Sequence, residues 1–360
     1  MTTDRPIPYG IYGTESWRTA SSEAGGRRPP RAVDRNTGLE LHVVSGLGGI
    51  RVLVPPGTGR SMGLFGGPRS AKTTLIAEAC RAGDELEADV ISLPGLWAAD
   101  AEAALDATNG SESGWSARLE DDGVAAVQAV GSGIEEMLGL VPKKERKPLR
   151  RRLRRLQELE GVEIRTIRDE PELLGAFATF VDIHNREWRL RGRQGHYADW
   201  PEAEALHRSM LGRAATDCTG MISGVFLHGA PVALQLGFVG GSLASAVNIA
   251  RNPSIRELDQ FSPATIAFIV FAAAAGELGA DRVELGRGSY EYKRKLGAAE
   301  EPLKRILLVR SGVASSLRFG VGRTLSAAFQ RLYYRLWFSR ICPRLGVRPG
   351  PLWWPWRMRV

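Results

Sequence analysis

The run ELGRGSYEYKRKLG (Glu284 to Gly297) sets a carboxylate, two glycines, a tyrosine and a lysine close together. Glycines let backbone N–H groups approach an anion, and a lysine adds charge. A tyrosine hydroxyl can act as a general acid and a carboxylate as a general base. On that reading Lys293 donates to a phosphate or a developing oxyanion, Tyr292 supplies a proton, and Glu284 takes one from an amine or hydroxyl. Gly286 and Gly288 provide the close backbone. The plainer alternatives are a core tyrosine beside a solvated lysine, and a strand glutamate facing water. Further upstream, Ser262-Pro263 opens the apolar run ATIAFIVFAAAAGELG as an N-cap followed by proline at the first helical position. A helix N-terminus suits an anion, because unpaired N–H groups and the positive end of the dipole both lie there.

A second stretch looks like a phosphate loop. GGPRSAKTTL (Gly66 to Leu75) resembles G-x-x-x-x-G-K-[ST], but Ala71 puts a Cβ where backbone must approach phosphate. The later strand-like run VISLPG also carries no acid for Mg²⁺. The stretch reads as a turn and helix start, not a nucleotide site.

These candidates need elements to position them. The chain has 360 residues, 43% hydrophobic and 24% charged, which suits globular domains with real cores. No apolar run reaches the roughly 18 residues that span a bilayer, and MTTDRPIPYG is no signal peptide. Cys80, Cys218 and Cys342 lie far apart, so neither a disulfide framework nor a zinc site is expected, and the cytoplasm suits the chain. Residues 1–36 read as a mobile tail and 37–140 as short strands punctuated by Gly and Pro.

Residues 141–311 carry the clearest order. A basic helix bears Leu149, Leu153 and Leu156 on one face, then VEIRTI alternates as a strand. Asp169 opens a long helix, and a second starts at Asp199 or Trp200. Three strands follow, joined by HGAP and GGS turns. The helix opened by Ser262 comes next, apolar nearly all round and so expected to be buried. RVELG, SYEYKRKLG and LKRILLVRS close the series as strand, helix and strand. This is an α/β (α+β) layout around a mixed sheet.

The net charge of +8 is uneven. Lys143 to Leu156 is one basic block. No zinc ligands, recognition helix or RNA-binding aromatics accompany it, so it reads as a solvated helix face and no nucleic-acid partner is expected. The other basic region follows Glu301, after which there is no Asp or Glu. Within 312–360, Leu325, Phe329, Leu332 and Leu336 share a helical face with Arg331 and Arg335 close by. Tyr333, Tyr334, Trp337, Trp353, Trp354 and Trp356 add aromatics. Such a segment suits peripheral contact with an anionic membrane surface, here the inner face; the alternative is a helix docked on the body with a loose tail.

The element order resembles the GNAT acyltransferase fold. Ser262 to Gly297 is similar to the signature of the CelD/BcsL, cellulose-biosynthesis-type acetyltransferases, relatives of the FemAB-type aminoacyl transferases. Ser262-Pro263, Leu285-Gly286, Gly288, Tyr292-Lys293 and Gly297 match, while Glu284 stands where that family usually has Asp. The upstream segments RRRLRRLQELEGVEIRTIRD and IHNREWRLRG, with Trp188, are similar too. The likeness runs from about Leu149 to Arg310, and residues 37–140 read as a degenerate GNAT-like half. It implies acetyl-CoA as cosubstrate, no metal, and a pyrophosphate held by the helix N-terminus at Ser262, Ala264 and Thr265. The usual R/Q-x-x-G-x-G/A loop is absent, with ELDQFSP in its place. The implied reaction acetylates an amine or hydroxyl of a sugar or cell-envelope (exopolysaccharide) precursor. A FemAB-like aminoacyl transferase and a noncatalytic GNAT shell assisting polysaccharide synthesis at the membrane are the alternatives.

Overall fold

Eleven strands form one mixed sheet in the computed structural model, which describes residues 20, 31–33, 40–55, 72–106, 114–193, 195–199, 202–212 and 218–347. In chain order they are β1 (Arg31–Val33), β2 (Glu40–Ser45), β3 (Arg51–Val54), β4 (Val90–Trp97), β5 (Trp115–Ala129), β6 (Val162–Ile167), β7 (Thr219–Leu227), β8 (Ala230–Gly240), β9 (Leu243–Arg251), β10 (Arg282–Arg287) and β11 (Ala299–Arg310). Their order across the sheet is β1-β2-β3-β4-β11-β5-β10-β9-β8-β7-β6. The two halves of the chain therefore interlock. β11, from the C-terminal half, lies between β4 and β5, and β5, from the N-terminal half, lies between β11 and β10. A boundary at residue 140 divides the sequence without dividing the sheet.

The helices are α1 (Lys72–Glu85), α2 (Ala98–Asp106), α3 (Ile134–Leu140), α4 (Lys143–Gln157), α5 (Glu170–Leu190), α6 (His196–Asp199), α7 (Ala203–Leu211), α8 (Pro263–Glu277), α9 (Glu291–Leu296) and α10 (Val313–Arg331), which continues as a π-helical segment, Leu332–Ile341, and α11 (Cys342–Leu345). In the C-terminal half, α5, α6 and α7 cover one sheet face with a core of Phe177, Phe180, Leu206 and Phe238. On the other face α8 packs with α4, burying Leu149, Leu153 and Leu156 as their spacing predicts. α8 is buried on nearly every side, because a helix of Ile, Phe, Val and Ala offers no polar face to water. In the N-terminal half, α1 and α2 lie on one face and α10 on the other, where Phe319 meets Ile50, Val52 and Leu307.

The strands VEIRTI and β7 to β9 lie where the sequence places them. His228-Gly229, both at positive φ, make the tight turn of the β7–β8 hairpin. Three readings change. The helix expected from residue 199 or 200 is α6 followed by a separate α7 starting at Ala203. Residues 31–33, inside the expected tail, pair with β2. β5, in a region expected to hold short strands, is a 15-residue strand running through LEDDGV. Its acids are matched from neighbouring elements: Asp121 by Lys304, Asp122 by Arg305 and Arg287, and Glu120 by Arg323. Helix α1 begins at Lys72; the rest of the phosphate-loop look-alike, the remainder of the N-terminal tail, and Trp353, Trp354 and Trp356 lie outside the described residues. Among the described residues no helix is long and apolar enough to cross a membrane.

Candidate active site

β9 and β10 are parallel neighbours, yet they pair only at Leu243–Arg282, Ala244–Val283 and Ser245–Glu284. Beyond that point β9 runs to Arg251 and β10 to Arg287 without a bond between them. Both strands are irregular where they part. On β9, Leu236 faces Asn248 and Gly237 faces Ala246, so Val247 is an extra, bulged residue. On β10 the register against β5 shifts between Glu284 and Arg287, around Gly286 at φ +75°. The strands thus open as a V at their carboxyl ends. α8 links them as a crossover, running antiparallel to both, so its N-terminus lies at that same end. β10 is also where the sheet changes from a parallel to an antiparallel neighbour, the kind of place where open α/β sheets bind ligands.

At the apex of the V, Ala244 and Val283 pack beneath α8. Alternation along the strands sends Ser245 and Glu284 to the opposite face. Glu284 is buried, and its Oε2 accepts a hydrogen bond from the Gly286 N–H at 3.1 Å. The exposed-strand alternative for this residue is therefore wrong. Ser245 is fully buried and its Oγ has no hydrogen-bond partner. Past the bulge, the Asn248 side chain meets the buried Tyr197 hydroxyl. Buried polar atoms normally find partners, so a hydroxyl left open beside a carboxylate marks a place prepared for a polar group.

The turn after β10 is held from both sides. Lys293 is only 3% exposed, and its ammonium donates to the carbonyl oxygens of Gly286 (2.8 Å), Arg287 (2.9 Å) and Gly288 (3.1 Å). It also lies 5.0 Å from the centre of the Tyr290 ring. Burial pulls its pKa down to about 8, against the nearby Glu284 and Glu300 carboxylates, which raise it. Three donors meet three acceptors, so in this arrangement Lys293 braces the turn and has no N–H to offer a phosphate or oxyanion. The Gly286 N–H is taken by Glu284 and the Gly288 N–H by the Val124 carbonyl oxygen, at 2.9 Å. Tyr292 is 57% exposed and stacks on Tyr290 with ring centres 6.1 Å apart. The bland expectation of a core tyrosine beside a solvated lysine is inverted.

The helix-terminus candidates divide similarly. Ser262 adopts the left-handed region (φ 56°, ψ 54°), and its side chain makes no cap. Instead its Oγ accepts from Arg152 Nη1 at 3.2 Å. Thr265 N–H is bound to the Ser262 carbonyl oxygen, and Pro263 has none. Ala264 N–H is left as the open donor of the first turn, with the Arg152 guanidinium beside it. Sequence reasoning missed Arg152 because it sits in a basic run whose members look alike. Only the packing of Leu149, Leu153 and Leu156 decides which arginine points at α8.

Opposite α8, α5 fixes the free part of β9. His184 Nδ1 lies 3.1 Å from the Ile249 carbonyl oxygen, and His184 Nε2 accepts from the His196 N–H at 3.1 Å. Glu187 accepts from the Arg251 N–H at 3.0 Å and from Arg191 at 2.5 Å. The Tyr197 hydroxyl and His207 Nδ1 are 3.2 Å apart. Burial holds His184 at a pKa of about 4 and His207 at about 3, so both imidazoles are neutral at ordinary pH. These groups position a strand. Among the described residues there is no cluster of His, Cys, Asp or Glu able to hold a metal.

A mixed sheet whose parallel strands splay at the N-terminus of an apolar crossover helix is the arrangement of the GNAT fold. Residues 143–294 match the family described as Acetyltransferase (GNAT) domain. Three solved structures share the fold at low identity. One is FemX (14% identity, 81% of this chain and 90% of that one, TM-score 0.54). Another is a conserved protein of unknown function from Bacteroides thetaiotaomicron (12%, 82% and 90%, 0.54). The third is the C-terminal DUF2156 domain of a putative lysylphosphatidylglycerol synthetase from Agrobacterium fabrum (12%, 88% and 94%, 0.52). No curated protein matches the chain. The mixed α/β GNAT fold is thus the one that the order of elements suggests.

Proposed function

We propose that the chain transfers an acetyl group from acetyl-CoA to an amine or hydroxyl of a sugar or cell-envelope precursor, on the cytoplasmic side of the membrane, as a CelD/BcsL-type enzyme. The observation that carries this reading is the V between β9 and β10, with an open helix N-terminus at its mouth and an unpartnered serine hydroxyl beside a buried carboxylate at its apex. Ala264 N–H and Arg152 would hold the pyrophosphate, with Ser262 orienting the guanidinium. The unpaired edges of β9 and β10 would bind the extended pantetheine arm. Ser245 Oγ would donate to the oxygen on which negative charge develops. Glu284 would accept the proton of the attacking amine or hydroxyl, and Tyr292 would return one to the leaving thiolate. Gly286, Gly288 and Lys293 keep that machinery in register.

A second reading follows from two of the structural neighbours. FemX and the putative lysylphosphatidylglycerol synthetase favour aminoacyl transfer on the same fold. It gains support from the outer face of α4, where Lys143, Lys147, Arg151 and Arg155 recur every four residues with no ion pair among the described residues. Such a ladder suits a polyanionic donor such as aminoacyl-tRNA. Isothermal titration separates the readings. Binding of acetyl-CoA that weakens with Arg152→Ala supports the first. No heat with any acyl-CoA, together with retention of aminoacyl-tRNA on a filter, replaces it with the second.

A further inference from the structure

α10 is attached to the body along one narrow strip. Ser315, Phe319, Gly322 and Ser326 are buried against it. Ser315 Oγ and Arg318 both reach the buried Asp89, at 2.9 and 3.1 Å, and Arg323 pairs with Glu120 at 2.6 Å. Away from that strip the helix carries a stripe of large apolar residues at four-residue spacing: Val313 (87% exposed), Leu317 (66%), Val321, which also borders the Gly48 turn, and Leu325. A spacing of four precesses slowly around an α-helix, so these side chains lie on one face about 18 Å long. The stripe continues as Leu332, Leu336 and Trp337, all exposed, in the π-helical segment.

The chemistry beside the stripe points to its partner. From Glu301 to the end of the chain there is no further acid. Arg318 and Arg323 are neutralised by the body. Arg331, Arg335, Arg340 and Arg344 make no ion pair among the described residues, and they flank the distal part of the stripe with Tyr333, Tyr334 and Trp337. A second copy docking here would bring two acid-free cationic faces together, which repel. A polyanion alone has no use for exposed Leu and Trp. Apolar side chains interleaved with arginine and interfacial aromatics fit the headgroup boundary of an anionic bilayer, where the leucines enter the acyl region and the guanidinium groups meet phosphate.

We propose that α10 and the segment following it lie flat on an anionic lipid surface and hold the body against it. The contact is peripheral, since no described helix can span a bilayer. The proposal does not depend on which group the domain transfers. The test is co-flotation of the full-length protein with vesicles of phosphatidylcholine alone or with about a third phosphatidylglycerol. Flotation with the anionic vesicles alone, weakening as salt is raised, is the expected result. Leu317→Glu/Leu325→Glu/Leu336→Glu should cut partitioning at least tenfold with an unchanged circular dichroism spectrum. Arg331→Ser/Arg335→Ser should cut it roughly 30-fold at low salt, from about 1 kcal/mol per charge. Absence of flotation with either vesicle overturns the proposal. So does a concentration-dependent dimer in sedimentation that the leucine variant abolishes while flotation persists, because the stripe then belongs to a second copy.

Discussion

Replacing Lys293 by methionine separates its two readings. Methionine keeps most of the length and volume, so the change removes the ammonium without opening a large cavity. The loss is the set of three hydrogen bonds to the Gly286, Arg287 and Gly288 carbonyls, all within 3.1 Å of Nζ. Each charge-assisted bond contributes about 1.5–3 kcal/mol, but the buried ammonium has also given up its hydration. The net figure is better taken from buried charges that lose a partner, about 3–5 kcal/mol. Here the stranded groups are three carbonyl oxygens and Glu284, whose carboxylate loses its nearby positive charge. Urea unfolding followed by circular dichroism should show a loss of about 3–5 kcal/mol for Lys293→Met. Lys293→Arg should recover only part of it, since a planar guanidinium cannot converge on three carbonyls as an ammonium does. An unchanged unfolding midpoint combined with a collapse of transferase activity would refute the bracing role and return Lys293 to the oxyanion.

Three further outcomes follow from the same geometry. Asp122 accepts from Gly95 N–H, Arg287 and Arg305 at 2.8, 2.7 and 3.2 Å; burial alone would raise its pKa, and the two arginines outweigh that to lower it. Asp122→Asn should cost about 3 kcal/mol in urea unfolding, because two guanidinium groups lose their countercharge. Stability should also fall on acidification from pH 6.5 toward 4. Unfolding lets His184 and His207 bind protons that the fold refuses, so each contributes a slope of up to about 1.4 kcal/mol per pH unit in that window. His207→Phe should remove one share of the slope in thermal melts. Arg152→Ala should weaken acetyl-CoA binding roughly tenfold by calorimetry, as expected for one charge-assisted contact, and leave the unfolding midpoint unchanged.

What could be read in the sequence divides along physical lines. Elements whose hydrophobic period is local were plain: VEIRTI, the three strands of β7 to β9 and the all-apolar α8 need no distant partner to declare themselves. β5 was invisible because its legibility depends on charges elsewhere in the chain. Nothing in the acidic run LEDDGV marks a strand until Lys304, Arg305 and Arg287 lie across from it. The site behaved the same way. Sequence spacing grouped Glu284, Gly286, Gly288, Tyr292 and Lys293, and the structure keeps them together around one turn. It could not tell which side chain is buried, because that depends on where the three carbonyls aim. Ser245 and Arg152 carried no local signal. Their interest comes from register between strands and from the packing of α4.

The interlocked sheet bears on how the site works. One wall of the V, β10, is paired along its far edge with β5, and β5 in turn with β11, while Asp122 ties Arg287 of β10 to Gly95 and Arg305. The other wall, the free half of β9, is paired along its far edge with β8 from Asn248 to Arg251, is held on its face by His184 and Glu187, and bends at the Val247 bulge. A ligand entering the V therefore meets two walls that are each backed by a further strand, so the opening between them is a fixed feature of the sheet. This gives the N-terminal half a function that does not need a site of its own. Its strand β5 backs β10 as β8 backs β9, and keeps the proposed base in place.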